Sequence, residues 1–214
     1  MGGEITAIEP QKHDSNRVNV FVEGAFALGL AIDLAVDLKV GMHLSTADIA
    51  ELEIADGVER AKERALSYLT HRPRSKAEVR QYLKERDFSE AVADEVITRL
   101  ERVGLVDDVD FARFWIENRV KFRPRGRRML RYELYQKGIA DEIIEDALTD
   151  YDETAAIKRV AEKHARRLQH CDPETFRRRL YGRLARRGFD YALIRDVIES
   201  PEIPRPNSEQ SEEV

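Results

Sequence analysis

Apolar residues recur at the same spacings three times along the chain. Val79, Leu83 and Phe88 stand four and then five positions apart, as do Leu130, Leu134 and Ile139, and again Leu180, Leu184 and Phe189. The agreement continues past each frame: Val92, Ala93, Val96 and Ile97 match Ile143, Ile144, Ala147 and Leu148, and these match Leu193, Ile194, Val197 and Ile198. Seven positions in register, offset by 51 and then 50 residues, define an internal repeat. Spacings of three and four place each set on one helical face, so every copy is a helical unit with one apolar stripe. Burying each Leu, Ile or Phe of the stripe contributes about 1.5–3 kcal/mol before chain entropy is counted. Units of this kind share a core by stacking, which predicts an elongated array.

Breaks and caps divide each copy into three helices. In the first, a helix around Ala65, Leu66 and Leu69 stops at Pro73, Ser75 with Glu78 forms a capping box, and Ser89 caps a third helix that closes at Gly104. The second opens at Asp107, runs through Phe111, Trp115 and Arg119, breaks at Pro124, ends its middle helix at Gly138 and resumes near Asp141. The third opens near Asp152, caps its middle helix with Asp172-Pro173, ends it at Gly188 and stops at Pro201.

The N-terminal stretch has a different period. Ile5 to Ile8 is a short apolar run, and Val18, Val20 and Val22 alternate with polar or outward residues before Glu23-Gly24. Phe26, Leu28 and Leu30 then alternate again, which predicts a β-hairpin. A short helix or helical turn over 32–38 and a second short helix capped by Ser45, with Asp48 completing the box, follow. The expected fold is mainly α: three tandem three-helix units in an elongated array, preceded by a small β-hairpin-containing module. The boundaries are 1–55 for the β-rich module, 56–106, 107–151 and 152–200 for the repeats, and 201–214 for a disordered acidic tail.

Charge adds a second layer to this scaffold. The net charge is −5, yet residues 113–188 hold 20 basic and 12 acidic side chains, a local excess of 8 positive charges. Such segregation bears on partners more than on fold. Arg119, Lys121, Arg123, Arg125, Arg127, Arg128 and Arg131 crowd into thirteen residues with Phe122 and Tyr132 interleaved, and Lys137 follows. A second cluster comprises Arg166, Arg167, Arg177, Arg178, Arg179, Arg183, Arg186 and Arg187. Arg178, Arg179 and Arg186 fall away from the Phe176, Leu180, Leu184 stripe. The arginine bias favours forked recognition of phosphate or carboxylate over mere solubility. The few aromatics beside these arginines argue against a base-stacking platform.

Other chemistry is thinly represented. The five histidines are scattered, and CxxC, HExxH and phosphate-loop patterns are missing. Asp107, Asp108 and Asp110 sit where a helix begins, so capping accounts for them better than a metal does. The single cysteine, Cys171, excludes an internal disulfide and suits a reducing compartment, hence the cytoplasm. No apolar run approaches the roughly 20 residues of a membrane span. Neither an enzyme nor a cofactor is expected.

Several segments together resemble one family. Arg72-Pro73-Arg74-Ser75-Lys76-Ala77-Glu78-Val79, Gly104-Leu105-Val106-Asp107-Asp108 with Phe111-Ala112, and Arg125-Gly126 with Glu133-Leu134 before Lys137-Gly138-Ile139 look like the RecX family over residues 60–200. Gln11-Lys12 and Arg17-Val18-Asn19-Val20-Phe21 resemble the N-terminal extension of some members. The third unit matches less closely at Arg177, Arg178 and Arg179. The resemblance implies a non-enzymatic regulator that binds in the groove of the RecA recombinase filament on single-stranded DNA. It also implies modulation, with inhibition expected, of ATP hydrolysis, strand exchange and coprotease activity in DNA repair, recombination and the SOS response. The basic face is expected to meet RecA, and single- or double-stranded DNA is the other partner it suits. A stand-alone helical nucleic-acid-binding protein is the alternative. The chain is expected to be monomeric and free of membranes.

Overall fold

A computed structural model describes residues 2–206 of the 214-residue chain. They divide into two compact units, one ending at Val106 and the other beginning at Asp107.

The first unit starts with an antiparallel sheet of order β3-β2-β1-β4, built from β1 (Gly3–Gln11), β2 (Asp14–Val22), β3 (Ala25–Ala31) and the short β4 (His43–Leu44). The expected hairpin is β2–β3, with Val20 opposite Leu28 and Val18 opposite Leu30. Its two-residue turn has positive φ at both Glu23 and Gly24, the geometry that matches the twist of the flanking strands. Ile5, Val18, Val20, Val22, Leu28 and Leu30 form the buried face, against which Ile49 and Leu52 pack. Of the short helix or helical turn expected over 32–38, residues 32–34 form a single 3-10 turn.

Ser45 caps the next helix in a full capping box with Asp48, as the sequence predicts. The helix that follows, α1 (Thr46–Leu69), is one continuous element of 24 residues. This corrects one expectation, a short helix after Ser45, and the helix runs across the 55/56 boundary expected between the β-rich module and the first repeat. Gly57 does not interrupt α1, because Val58, Ala61 and Ala65 beyond it pack into the core of the first repeat while Ile49 and Leu52 pack under the sheet. Asp56, 5% exposed, fastens the sheet to this helix. Its Oδ1 accepts the Ala31 amide at 2.9 Å and its Oδ2 pairs with Arg17 Nη2 at 2.8 Å. The repeat is completed by α2 (Lys76–Lys84), capped by Ser75, and α3 (Glu90–Arg102), capped by Ser89.

The second unit contains six helices among its described residues: α4 (Asp108–Phe122), α5 (Arg127–Tyr135), α6 (Asp141–Thr149), α7 (Glu153–Ala165), α8 (Pro173–Ala185) and α9 (Tyr191–Glu199). Asp107, Asp152 and Asp172 each accept a backbone amide at a helix start. Leu130, Leu134, Ile139, Leu180, Leu184 and Phe189 are all buried in one apolar cluster shared by the two repeats. Tail residues 201–203 depart from the disorder expected of them. Ile203 is buried in this cluster, and Glu202 pairs with Lys158 at 2.8 Å. The rest of the expected acidic tail, 207–214, lies outside the described residues.

Candidate interaction surface

The seven basic residues of 119–131 face in different directions, because α4 ends at Phe122 and a proline-containing turn leads into α5. Four of them act mainly inside the unit. Arg119 Nε reaches Glu133 Oε2 at 2.6 Å and stacks over Trp115 at 4.2 Å. Arg125 Nε lies 3.4 Å from Glu133 Oε1. Arg127 donates from Nη1 to Leu148 O and from Nη2 to Tyr151 O, both at 2.7 Å, with Glu153 Oε2 3.8 Å from its Nε. Arg131 grips Glu145 with two nitrogens, at 2.7 and 2.8 Å. Lys137 lies 5.3 Å from the Trp115 ring centre.

The rest of the predicted set is turned outward. Lys121, Arg123, Arg128, Arg167, Arg178, Arg183 and Arg186 are exposed and make no ion pair among the described residues. Arg177 behaves likewise. Arg166 reaches Glu162 only at 3.9 Å, and Arg179 Nη1 lies 3.5 Å from Cys171 Sγ.

Two groupings emerge. In the first, Arg187 Nη1 donates to Pro124 O at 3.1 Å, which sets Arg187 against the turn carrying Arg123 and Arg125. Burial, then the positive charges of Arg125, Arg183 and Arg123, pull the Arg187 pKa below its usual range. Buried His164 behind them has no hydrogen-bond partner at Nδ1, and burial followed by Arg183, Arg187, Arg167 and Lys163 pulls its pKa down. In the second, α5, α8 and α9 wall two adjoining hollows of about 350 and 300 Å³ that share Tyr181 and Tyr191. Arg128 and Arg131 border one, and Arg177, Arg178 and Arg195 border the other. Tyr191 is 64% exposed, and its ring meets Tyr181 edge to face at 6.1 Å.

This second grouping changes the sequence-based view of the aromatics. Tyr132 and Tyr135 are exposed on α5, and Tyr181 and Tyr191 arrive from α8 and α9, so the rings join the arginines through folding. The only local signal for Tyr181 is its spacing of three and four from Arg178 and Arg177 on one helix. Tyr191 carries none. Asp107 behaves as a cap, its Oδ1 accepting Val109 N at 2.7 Å and Asp110 N at 3.0 Å. Among the described residues no cluster of three His, Cys, Asp or Glu could hold a metal, and no helix is long and apolar enough to cross a membrane.

Repeated three-helix units behind an antiparallel sheet, with exposed arginines on the second and third repeats that make no ion pair among the described residues, define a helical-repeat protein with a basic surface. Family models match four stretches of the chain: the regulatory protein RecX N-terminal domain matches residues 3–45, and the first, second and third RecX three-helix domains match 61–100, 107–148 and 150–198. A regulatory protein RecX of Bacillus pumilus is 32% identical over 91% of this chain and 76% of its own length. One from Prosthecochloris aestuarii is 40% identical over 65% of this chain and 92% of its own. A crystal structure of a regulatory protein RecX superposes with a TM-score of 0.74 at 26% identity, covering 92% of this chain and 99% of that one. The chain belongs to the RecX family of regulatory proteins.

Proposed function

We propose that this protein regulates the RecA recombinase, lying along its filament on single-stranded DNA and lowering ATP hydrolysis, strand exchange and coprotease activity. Membership of the RecX family supports the regulatory role. The observation that carries the choice of surface is the set of outward arginines in repeats two and three that make no ion pair with a carboxylate among the described residues. An exposed guanidinium without an internal partner costs nothing to redirect, and it forms forked bonds to phosphate or carboxylate. The protein works as a cytoplasmic monomer without a cofactor.

The test uses only residues that do no internal work. Arg123→Ala, Arg128→Ala, Arg178→Ala and Arg186→Ala are combined, and RecA ATP hydrolysis on single-stranded DNA is followed at several salt concentrations. Inhibition by the parent protein should weaken as salt rises, and the combined variant should inhibit poorly at every salt. Full inhibition by a folded variant would remove this surface from the proposal.

A further inference from the structure

Arg128, Arg131, Arg177 and Arg178 surround two exposed tyrosine rings, and among the described residues only Arg131 of these four makes an ion pair, to Glu145. Tyr181 and Tyr191 meet edge to face, which leaves ring faces open to a planar ligand in the two hollows on either side. Each hollow, at about 300 to 350 Å³, lies at the small end of the range that holds a single ligand group. The carboxylates at the rim are mostly spoken for. Asp190 Oδ1 accepts the Ala192 amide, and Glu153 accepts the Arg127 amide and pairs with its guanidinium. Glu199 borders the hollow of Arg177 and Arg178 without an ion pair, so an anionic ligand there has to run on the arginine side.

We propose that the Tyr181–Tyr191 pair is a stacking site for two successive bases of single-stranded nucleic acid. The phosphates run over Arg128 and Arg131 of α5 and Arg177 and Arg178 of α8. Stacking on tyrosine is indifferent to base identity because every base offers a π face, while the arginines track the backbone. A duplex keeps its bases stacked on each other and offers this site only phosphates. Arg131 has to loosen its grip on Glu145, an exchange between two exposed groups whose pairing contributes little. The inference goes beyond regulation of the recombinase, since the contact needs no recombinase to form.

The experiment measures binding of a short fluorescent oligothymidylate by anisotropy, with the full chain and no other protein. Tyr181→Ala and Tyr191→Ala should each weaken binding roughly tenfold, and Tyr191→Phe should retain it. Arg128→Ala and Arg178→Ala should each reduce the slope of log affinity against log salt by about one. An abasic strand of the same length should bind as poorly to the parent protein as oligothymidylate binds to the Tyr181→Ala/Tyr191→Ala double variant. Photo-crosslinking of a 5-iododeoxyuridine strand to the unmodified protein should map to Tyr181 or Tyr191, a readout that needs no substitution. Equal affinity for the abasic strand, crosslinks confined to other residues, or no binding at low salt would each overturn the inference. Inhibition of RecA is scored separately in Tyr191→Ala, so a failure here leaves the recombinase reading standing on its own test.

Discussion

The backbone amide of Gly126 donates to the carbonyl oxygen of Arg187 across 2.8 Å, joining the turn before α5 to the turn after α8. A Cβ built on Gly126 would lie 2.1 Å from Gly188 O and 2.4 Å from Phe189 N, distances that no rotamer change relieves because both atoms are backbone. Gly126→Ala should therefore destabilise the second unit by about 1–3 kcal/mol or more, the range for overpacking a closed interior. Trp115, the single tryptophan, sits in this unit, so the urea midpoint of its fluorescence reports the loss.

Neighbouring arginines should behave oppositely. Arg127→Ala removes charged donors from Leu148 O and Tyr151 O and should cost on the order of 2 kcal/mol by the same measurement. Arg128→Ala, exposed and without an internal partner, should stay within about 0.5 kcal/mol of the parent. Lysine at 127 should not restore the loss, because one ammonium cannot reproduce a fork aimed at two carbonyls.

In the first unit, Asp56→Ala should cost about 3–5 kcal/mol, since it leaves the largely buried Arg17 without its carboxylate and the Ala31 amide without an acceptor. The circular-dichroism transition should move to lower urea, while Trp115 fluorescence reports the second unit alone.

Asp87 occupies the repeat position held by Gly138 and Gly188, and all three have positive φ, at 62°, 74° and 80°. Glycine takes this conformation without strain and aspartate does not. Asp87→Gly should raise the stability of the first unit by up to about 1 kcal/mol, read as a higher urea midpoint by circular dichroism.

His164 predicts a pH dependence. Its folded-state pKa lies below the ordinary histidine value, with burial the main cause and Arg183, Arg187, Arg167 and Lys163 adding to it. The unfolded chain then binds more protons than the folded one as pH falls through about 6.5, so stability declines from there down to the folded-state pKa and levels off below it. His164→Gln should flatten that part of the curve when Trp115 midpoints are compared between neutral pH and about pH 5.

The repeat was legible because its stripe and caps are local. Leu134 recurs as Leu83 and Leu184, Val79 and Ile139 differ from their counterparts in size but not in spacing, and Ser75, Ser89, Asp107 and Asp172 cap the helices they precede. Length along α1 was not legible, since Gly57 and the polar residues around it resemble a break, and burial on both sides of that glycine holds the helix together. The basic run read as one patch because Arg127 and Arg128 are indistinguishable in sequence. Only the carbonyls of Leu148 and Tyr151, brought in from more than twenty residues away, separate the inward arginine from the outward one. Tyr181 and Tyr191 were overlooked for a related reason: their partnership with α5 exists only after the repeats have packed.

Helix α1 carries a consequence for how such chains are put together. The N-terminal and first three-helix family models leave residues 46–60 unmatched between them, and that gap is the first half of a single unbroken rod with Asp56 bolted to the sheet. Any splice that adds, drops or swaps the sheet has to cut through hydrogen-bonded turns instead of a linker. A graft that keeps this sheet anchored through Asp56 therefore has to carry the whole of α1 with it.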